Sequence, residues 1–445
     1  MRLLSARGIV PAFVAAAAAV ALAAPGSALA AKENPLCATG VNVEGQGSSA
    51  QKLLQQNFWT KQFNEPVGGK LACNLIHQPT VKYNSTGSGA GLHSWGIEEK
   101  EAKEVNFGPT NAYVGTDEPP SAAQIALFEA EETTPTAKSL LTIPVAQVAL
   151  AVVMHLPTGC TATSTASPGR IVLSQKSLEG IFSGSVKTWG ALTDGGSKIE
   201  GAGCAESAIL PVVRQDQSGT THIFKRFLNL INTAELETAS GKHTWGDLSE
   251  GALSTTWPTA AGTKTAAKSG GGELVKLVAE TAGTIGYAAV SDARANAKFG
   301  TEGGAGKPTF WAELENENKK GKAKFNDPST NGESGTLAGS NCAKTLYSDG
   351  ASPFPPPHAY QPWNEVTTKT SEKTYALCGF TFDLAVTSYG LLPGASSGEA
   401  DTVKAYQQYV NDKKGGQVIL GGADYLALPK AVLAIAKEGV AEIGH

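Results

Sequence analysis

Three times the chain passes from a short β-like run through a glycine–serine turn into a segment of helical period. The first passage, "VEGQGSSAQKLL", carries Gly45-Gln-Gly-Ser-Ser, and beyond it Leu53, Leu54, Phe58 and Phe63 can share one helical face. The second, "TVKYNSTGSGAGLHSWG", carries Gly87-Ser-Gly-Ala-Gly. The third, "VVRQDQSGTTHIFKRFL", carries Arg214, Asp216, Ser218, Gly219 and Thr220 at the mouth of the turn. Strands that alternate with helices in this way predict an α/β fold with parallel or mixed sheets. Ligands of such sheets sit beyond the carboxyl ends of the strands, where all three turns fall.

Other segments extend the plan. "LLTIPVAQVALAVVMHL" is long, apolar and β-branched and predicts one buried strand or a pair of them. "GTIGYAAVSDA" and "GFTFDLAVTSY" read as strands, and "ADTVKAYQQYVNDKKGGQVI" and "PKAVLAIAKEGVAEI" as closing helices. Residues 301–372, rich in polar residues, Gly and Pro, read as a loop-rich excursion with little regular structure. At 445 residues the chain is long enough for two lobes with separate cores.

The opening 30 residues join Arg2 and Arg7 to an apolar run and end in Ala28-Leu29-Ala30, the pattern of a cleaved secretory signal. An exported, soluble mature chain is expected, periplasmic or extracellular. The six cysteines suit an oxidising compartment and fall into neighbouring pairs: Cys37 with Cys73, Cys160 with Cys204, Cys342 with Cys378. A net charge of −4 leaves no basic surplus for a nucleic-acid partner. The seven histidines show no metal spacing, and no cofactor is expected.

Helix N-termini leave backbone N–H groups unpaired and carry partial positive charge. Serines and threonines there cap their own helix or join those amides in holding an anion. Three such turns, one with an arginine, favour an oxyanion site. Arg214 offers a planar fork of donors, and Asp216 can hold that fork in place. Ile223, Phe224, Phe227, Leu228 and Ile231 form a core-facing stripe on the following helix; Lys225 and Arg226 fall on the side expected to be solvated, and His222 on the helix surface. A hydrolase of phosphate esters or peptides, using Ser218 with His222, is the competing reading, although the G-x-S-x-G elbow and the P-loop are both missing. A third is a surface adhesive protein using the Pro-rich insertion.

Taken as an ordered set, Gly45-Gln-Gly-Ser-Ser, Tyr83-Asn-Ser-Thr-Gly-Ser-Gly-Ala-Gly, Val105-Asn-Phe-Gly-Pro-Thr-Asn, Ile181-Phe-Ser-Gly with Trp189, Arg214-Gln-Asp-Gln-Ser-Gly-Thr-Thr and Gly283-Thr-Ile-Gly-Tyr resemble the PstS-type phosphate-binding proteins that serve phosphate ABC transporters. The resemblance covers about residues 37–300 and resumes loosely from about 375. It implies the two-lobed, type II-like periplasmic-binding-protein fold, a monomer with the anion buried between hinged lobes, delivered to an ABC transporter permease. The first lobe would comprise 31–147 and the return at 373–445, the second 148–300, with 301–372 unassigned. The implied anion contacts are Ser49, Ala50, Ser88, Arg214, Ser218, Gly219 and Thr220, with Asp216 holding Arg214. The family's acceptor carboxylate at the end of "VNFGPTN" falls on Asn111, which predicts weakened discrimination against sulfate. Asp117 or Glu118 is the nearby carboxylate that could replace it.

Overall fold

The computed structural model describes residues 34–65, 72–73, 78–97, 107–130, 139–258, 264–329, 354–357, 363, 366 and 374–445. The expected signal segment therefore lies outside the described residues. Among those residues, nine strands form the central sheet: β1 (Val43–Gly47), β2 (Val81–Ser85), β3 (Tyr113–Thr116), β4 (Leu140–His155), β5 (Leu210–Arg214), β6 (Ala266–Lys268), β7 (Thr284–Ala289), β8 (Thr309–Trp311) and β9 (Cys378–Val386). Their order is β6-β5-β7-β4-β9-β3-β1-β2, with β8 also paired to β4.

The expected apolar stretch is a single strand, β4, of 16 residues, buried at every position but His155. Such a run needs cover on both faces, so it sits at the centre. Its first part pairs with β9, from Leu140 opposite Val386 to Ala149 opposite Cys378. Its last part pairs with β7, from Leu150 opposite Ala289 to His155 opposite Thr284. Two half-sheets thus share one continuous strand. The first contains β2, β1, β3 and β9, the second β6, β5, β7 and β8. Parallel pairing of β1 with β2 and β3, and of β5 with β6 and β7, points the three glycine–serine turns, two in the first half and one in the second, at the cleft between the halves.

The disulfides Cys37–Cys73 and Cys160–Cys204 form as the spacing suggests. Cys378 is also disulfide-bonded, and its expected partner Cys342 lies outside the described residues. The excursion after residue 300 is more regular than its composition predicts. Thr309–Trp311 joins the sheet, and Leu314–Lys319 pairs with Lys322–Asn326 as a hairpin. Its two-residue turn, Lys320 at φ 55° and Gly321 at φ 73°, has both central residues left-handed, which matches the twist of the paired strands. The first predicted helix also differs. Leu53–Trp59 is a π-helix followed by α-helix Thr60–Asn64, so the buried apolar residues are Leu54, Trp59 and Phe63, and Phe58 is left at the margin.

Candidate oxyanion site

Arg214 ends β5 and is 2% exposed. Its Nε donates to Asp216 Oδ1 at 2.7 Å, and its Nη2 pairs with Asp216 Oδ2 and donates to Ser49 Oγ at 3.0 Å. Ser49 belongs to the opposite half, so the guanidinium bridges the cleft. Its remaining nitrogen, Nη1, is buried with no partner among the described residues. Asp216 also accepts from the Gly270 amide at 3.1 Å. Burial alone would raise the Asp216 carboxyl; the bonds and charge of Arg214, with that amide, hold it below the usual carboxylate range. The tether leaves Arg214 little rotamer entropy to lose when an anion arrives.

Ser218 is the N-cap of helix Gly219–Ile231, its hydroxyl accepting from the Thr221 amide at 3.3 Å. The His222 amide bonds Ser218 O, which leaves Gly219 and Thr220 ahead of the first intrahelical bond with their amides available. Facing them is Ser88, 1% exposed, the first residue of helix Ser88–Ser94. Gly87 holds φ 102° as that helix's N-cap, a conformation open to glycine. The halves approach so closely that a Cβ on Gly219 would lie 2.5 Å from Ser88 Oγ and 2.8 Å from Asp117 Cβ.

A buried carboxylate, Asp117, stands one residue past β3 and is 2% exposed. Ser48 Oγ donates to its Oδ1 at 2.6 Å and Thr381 Oγ1 lies 2.8 Å from the same oxygen. Its Oδ2 has only a long contact, 3.4 Å, from Thr220 Oγ1 across the cleft. Burial raises the Asp117 carboxyl, opposed by the Ser48 and Thr381 hydroxyls, the Arg214 charge and the Thr220 hydroxyl. Glu118 points elsewhere, accepting from Ser254 Oγ.

Asn111 is not part of this cluster. It precedes β3 rather than following it, and both ends of its amide are engaged: Oδ1 accepts from Gln46 Nε2 at 3.1 Å and from Ser94 Oγ at 3.0 Å, while Nδ2 donates to Ser94 O at 2.8 Å. The reason is the direction of the strand. Residues before a parallel strand lie at its amino end, and the helix N-termini gather at the other. Ser49, Ser88, Arg214, Asp216, Gly219 and Thr220 are brought together. Ala50 lies in the same first turn, its amide bonded to Ser48 Oγ at 3.1 Å. Ser48 and Thr381 are additions that the motifs did not single out.

Two side chains expected at the surface are buried. His222 is 3% exposed, hydrogen-bonded to the Ser249 backbone, and held well below its ordinary pKa mainly by burial. It is not bonded to Ser218, whose hydroxyl is committed to capping, so no nucleophile–base pair exists there. Lys225 is fully buried, and its Nζ donates to the carbonyls of Leu248, Leu253 and, at 2.8 Å, Thr256. Burial draws its amine down to about 7, and nearby Glu118 pushes the other way. Three acceptors take three N–H donors, which only the ammonium form supplies. The loop it ties down provides Thr255 O, which receives the Ser218 amide at 2.8 Å.

A phosphate-binding protein PstS from Pasteurella multocida (strain Pm70) is 26% identical over 261 residues, 58% of this chain and 56% of that protein's length. Among solved structures, a high affinity periplasmic phosphate-binding protein, PfluDING, bound with phosphate, superposes with a TM-score of 0.61 at 18% identity, over 89% of this chain and 93% of that one. A phosphate-binding protein from Stenotrophomonas maltophilia gives a TM-score of 0.57 at 17% identity, over 90% and 94%. At such identities the likeness speaks for the fold, which is two-lobed in both. A family model described as the PBP superfamily domain matches residues 38–357. The chain belongs to the PBP superfamily.

Proposed function

We propose that this protein binds inorganic phosphate, in a protonated form, between its two lobes and delivers it after export to an ABC transporter permease. The observation that carries the reading is the unpartnered, buried Nη1 of Arg214 in the same closed cluster as an acceptor oxygen, Asp117 Oδ2. A buried guanidinium nitrogen without a partner is costly, and a tetrahedral oxyanion satisfies it together with Ser88 and the Gly219 and Thr220 amides. A carboxylate oxygen in the same socket takes a hydrogen bond from a protonated ligand and repels one without a proton. Hydrogenphosphate offers that proton and sulfate does not. The expected loss of discrimination, which rested on Asn111, gives way to discrimination by Asp117.

The lobes of this reading are 31–147 with 373–445, and 148–300, hinged where β4 passes from Ala149 to Leu150. The hydrolase and adhesive readings have no observation in their favour. The relatives named above bear phosphate-binding names, and this chain spans just over half the length of the curated one.

Calorimetry of the chain from residue 31 with phosphate, arsenate and sulfate is the direct test. Phosphate and arsenate are expected to bind and sulfate to bind far more weakly. Arg214→Ala is expected to cost more than about 1.5 kcal/mol of phosphate affinity, the lower end for charge-assisted hydrogen bonds. Wild-type-like binding by that variant would remove Arg214 from the site.

A further inference from the structure

Beside the cleft, the lobes meet through groups that no part of the anion socket includes. Helix Val290–Ala295 follows β7 in the second lobe. The segment Leu420–Leu428 belongs to the first, since Leu426 exchanges backbone hydrogen bonds with Gln147 at the first-lobe end of β4. Two polar links join them. Ser291 Oγ donates to Tyr425 Oη at 2.7 Å, and Arg294 Nε pairs with Asp424 Oδ2 with both side chains largely buried.

The first link leads straight to the anion turn. The Tyr425 hydroxyl, having accepted from Ser291, donates its own proton to Ala50 O. Ala50 stands in the first glycine–serine turn, beside Ser49, which takes the Arg214 bond. Tyr425 is 1% exposed and shares the first lobe with Ala50, so separating the lobes breaks its bond from Ser291 and leaves its bond to Ala50 O in place. The second link is set by a helix cap. Asp424 holds φ 62° as the cap that ends the turn Leu420–Ala423, a left-handed conformation that aspartate adopts more readily than most residues. On the other side, the Arg294 guanidinium lies over the Trp311 ring, 5.5 Å from its centroid, which fixes the arginine to the second lobe.

We infer that Tyr425, Ser291 and the Arg294–Asp424 pair form a latch that sets how long the closed cleft keeps its anion. None of the four touches the anion; they are positioning residues that hold Ala50's turn against the second lobe. Both links add to the closed form only, so part of the closure free energy is supplied by the protein itself. An anion then spends less of its own binding energy on closing the lobes. Capture proceeds from an open form in which these contacts are absent, so loss of the latch raises the dissociation rate and leaves association nearly unchanged.

This inference rests on the phosphate reading, and its test has two arms so that the two can fail separately. The first arm follows release of radiolabelled phosphate from wild type, Tyr425→Phe, Arg294→Met and the conservative Arg294→Lys. Tyr425→Phe and Arg294→Met are expected to release about tenfold faster with association within about twofold of wild type, the usual signature of a lost buried contact at an interface. Arg294→Lys is expected to recover most of the slow release. The second arm measures small-angle scattering of the same ligand-free proteins, where the two latch variants are expected to be more open than wild type. Failure of wild type to bind phosphate would overturn the phosphate reading and leave the second arm to decide the latch. Unchanged release together with unchanged scattering, in variants that melt cooperatively, overturns the latch. So does a fall in association with unchanged release, since that marks damage to the socket.

Discussion

Strand β3 is four residues long and has polar side chains at both ends, yet the two ends are built for opposite purposes. At the amino end Asn111 has each of its polar atoms paired with a neighbour of fitting polarity. At the carboxyl end Asp117 has one oxygen saturated by two hydroxyls and the other held only by a contact of 3.4 Å. The first arrangement locks a turn. The second keeps an acceptor oriented and in reserve, which a ligand site needs. The parallel direction of β1, β2 and β3 decides which end is which, because it gathers the helix N-termini at one edge only.

The sharpest way to break this comparison is Asp117→Asn. An amide in the same place can turn its NH₂ toward the anion, so sulfate no longer meets two facing acceptors. Phosphate loses a charged acceptor, worth about 1.5–3 kcal/mol, and sulfate is relieved of a comparable penalty. The phosphate-to-sulfate affinity ratio is expected to fall by about 3 kcal/mol or more on that basis. Competition calorimetry reads the ratio, and a ratio equal to that of wild type would mean that Asp117 does not face the ligand.

Much of the socket was legible because it is local. A glycine–serine turn, a cap and a helix sit within a few residues of one another, so the three turns and the Arg214–Asp216 pair could be picked from spacing, while the anion contacts of Ser88, Ser218, Gly219 and Thr220 came from the family resemblance. What was not legible depends on partners far along the chain. Choosing Asp117 over Asn111 requires knowing where a four-residue strand begins, and Thr381, which helps orient Asp117, arrives more than 260 residues later. Lys225 and His222 look like the polar side of an amphipathic helix until the 244–257 loop packs over them. Their burial carries no signal in the helix's own periodicity. The hairpin at 314–326 was hidden for a different reason: its alternation is polar on both faces, and only the left-handed Lys320–Gly321 turn betrays it.

A second buried aspartate sharpens the contrast from inside the first lobe. Asp383, in the middle of β9, accepts from Gln407 Nε2 at 2.7 Å and from Gln55 Nε2 at 3.2 Å, with no cation beside it among the described residues. It is linked toward Asp117 by Gln55 to Gln51 at 2.9 Å and Gln51 to Thr381 at 2.6 Å. Burial pushes Asp383 up to about 7, opposed by the glutamine amides. The folded state therefore holds this proton more tightly than the unfolded chain does. The stabilising contribution is present below the unfolded pKa of about 4 and is lost as pH rises to about 7. Between pH 5 and 8 that amounts to about 2–3 kcal/mol at roughly 1.4 kcal/mol per unit. Asp383→Asn should flatten this part of the stability profile, so the variant compares more favourably with wild type at pH 8 than at pH 5. Denaturant unfolding at the two pH values checks it; parallel profiles would show that Asp383 stays ionised throughout.

The smallest expected effect is at the locked end. Asn111→Asp places an oxygen where Nδ2 now donates to Ser94 O, so two acceptors face each other at 2.8 Å. The other oxygen keeps the bonds from Gln46 and Ser94 Oγ. Asn111 is 8% exposed, so the new carboxylate has little water to turn to. An unsatisfied buried contact of this kind costs about 1–3 kcal/mol, and partial rotation of the side chain toward the rim puts the expected loss near the lower bound, about 1 kcal/mol of stability. Phosphate affinity and the phosphate-to-sulfate ratio should stay within about twofold of wild type, because the residue lies at the wrong end of the strand to reach the cleft. Thermal unfolding and competition binding on the same variant separate the two ends. A stable variant with a changed ratio would place Asn111 in the socket after all and return Asp117 to a structural role.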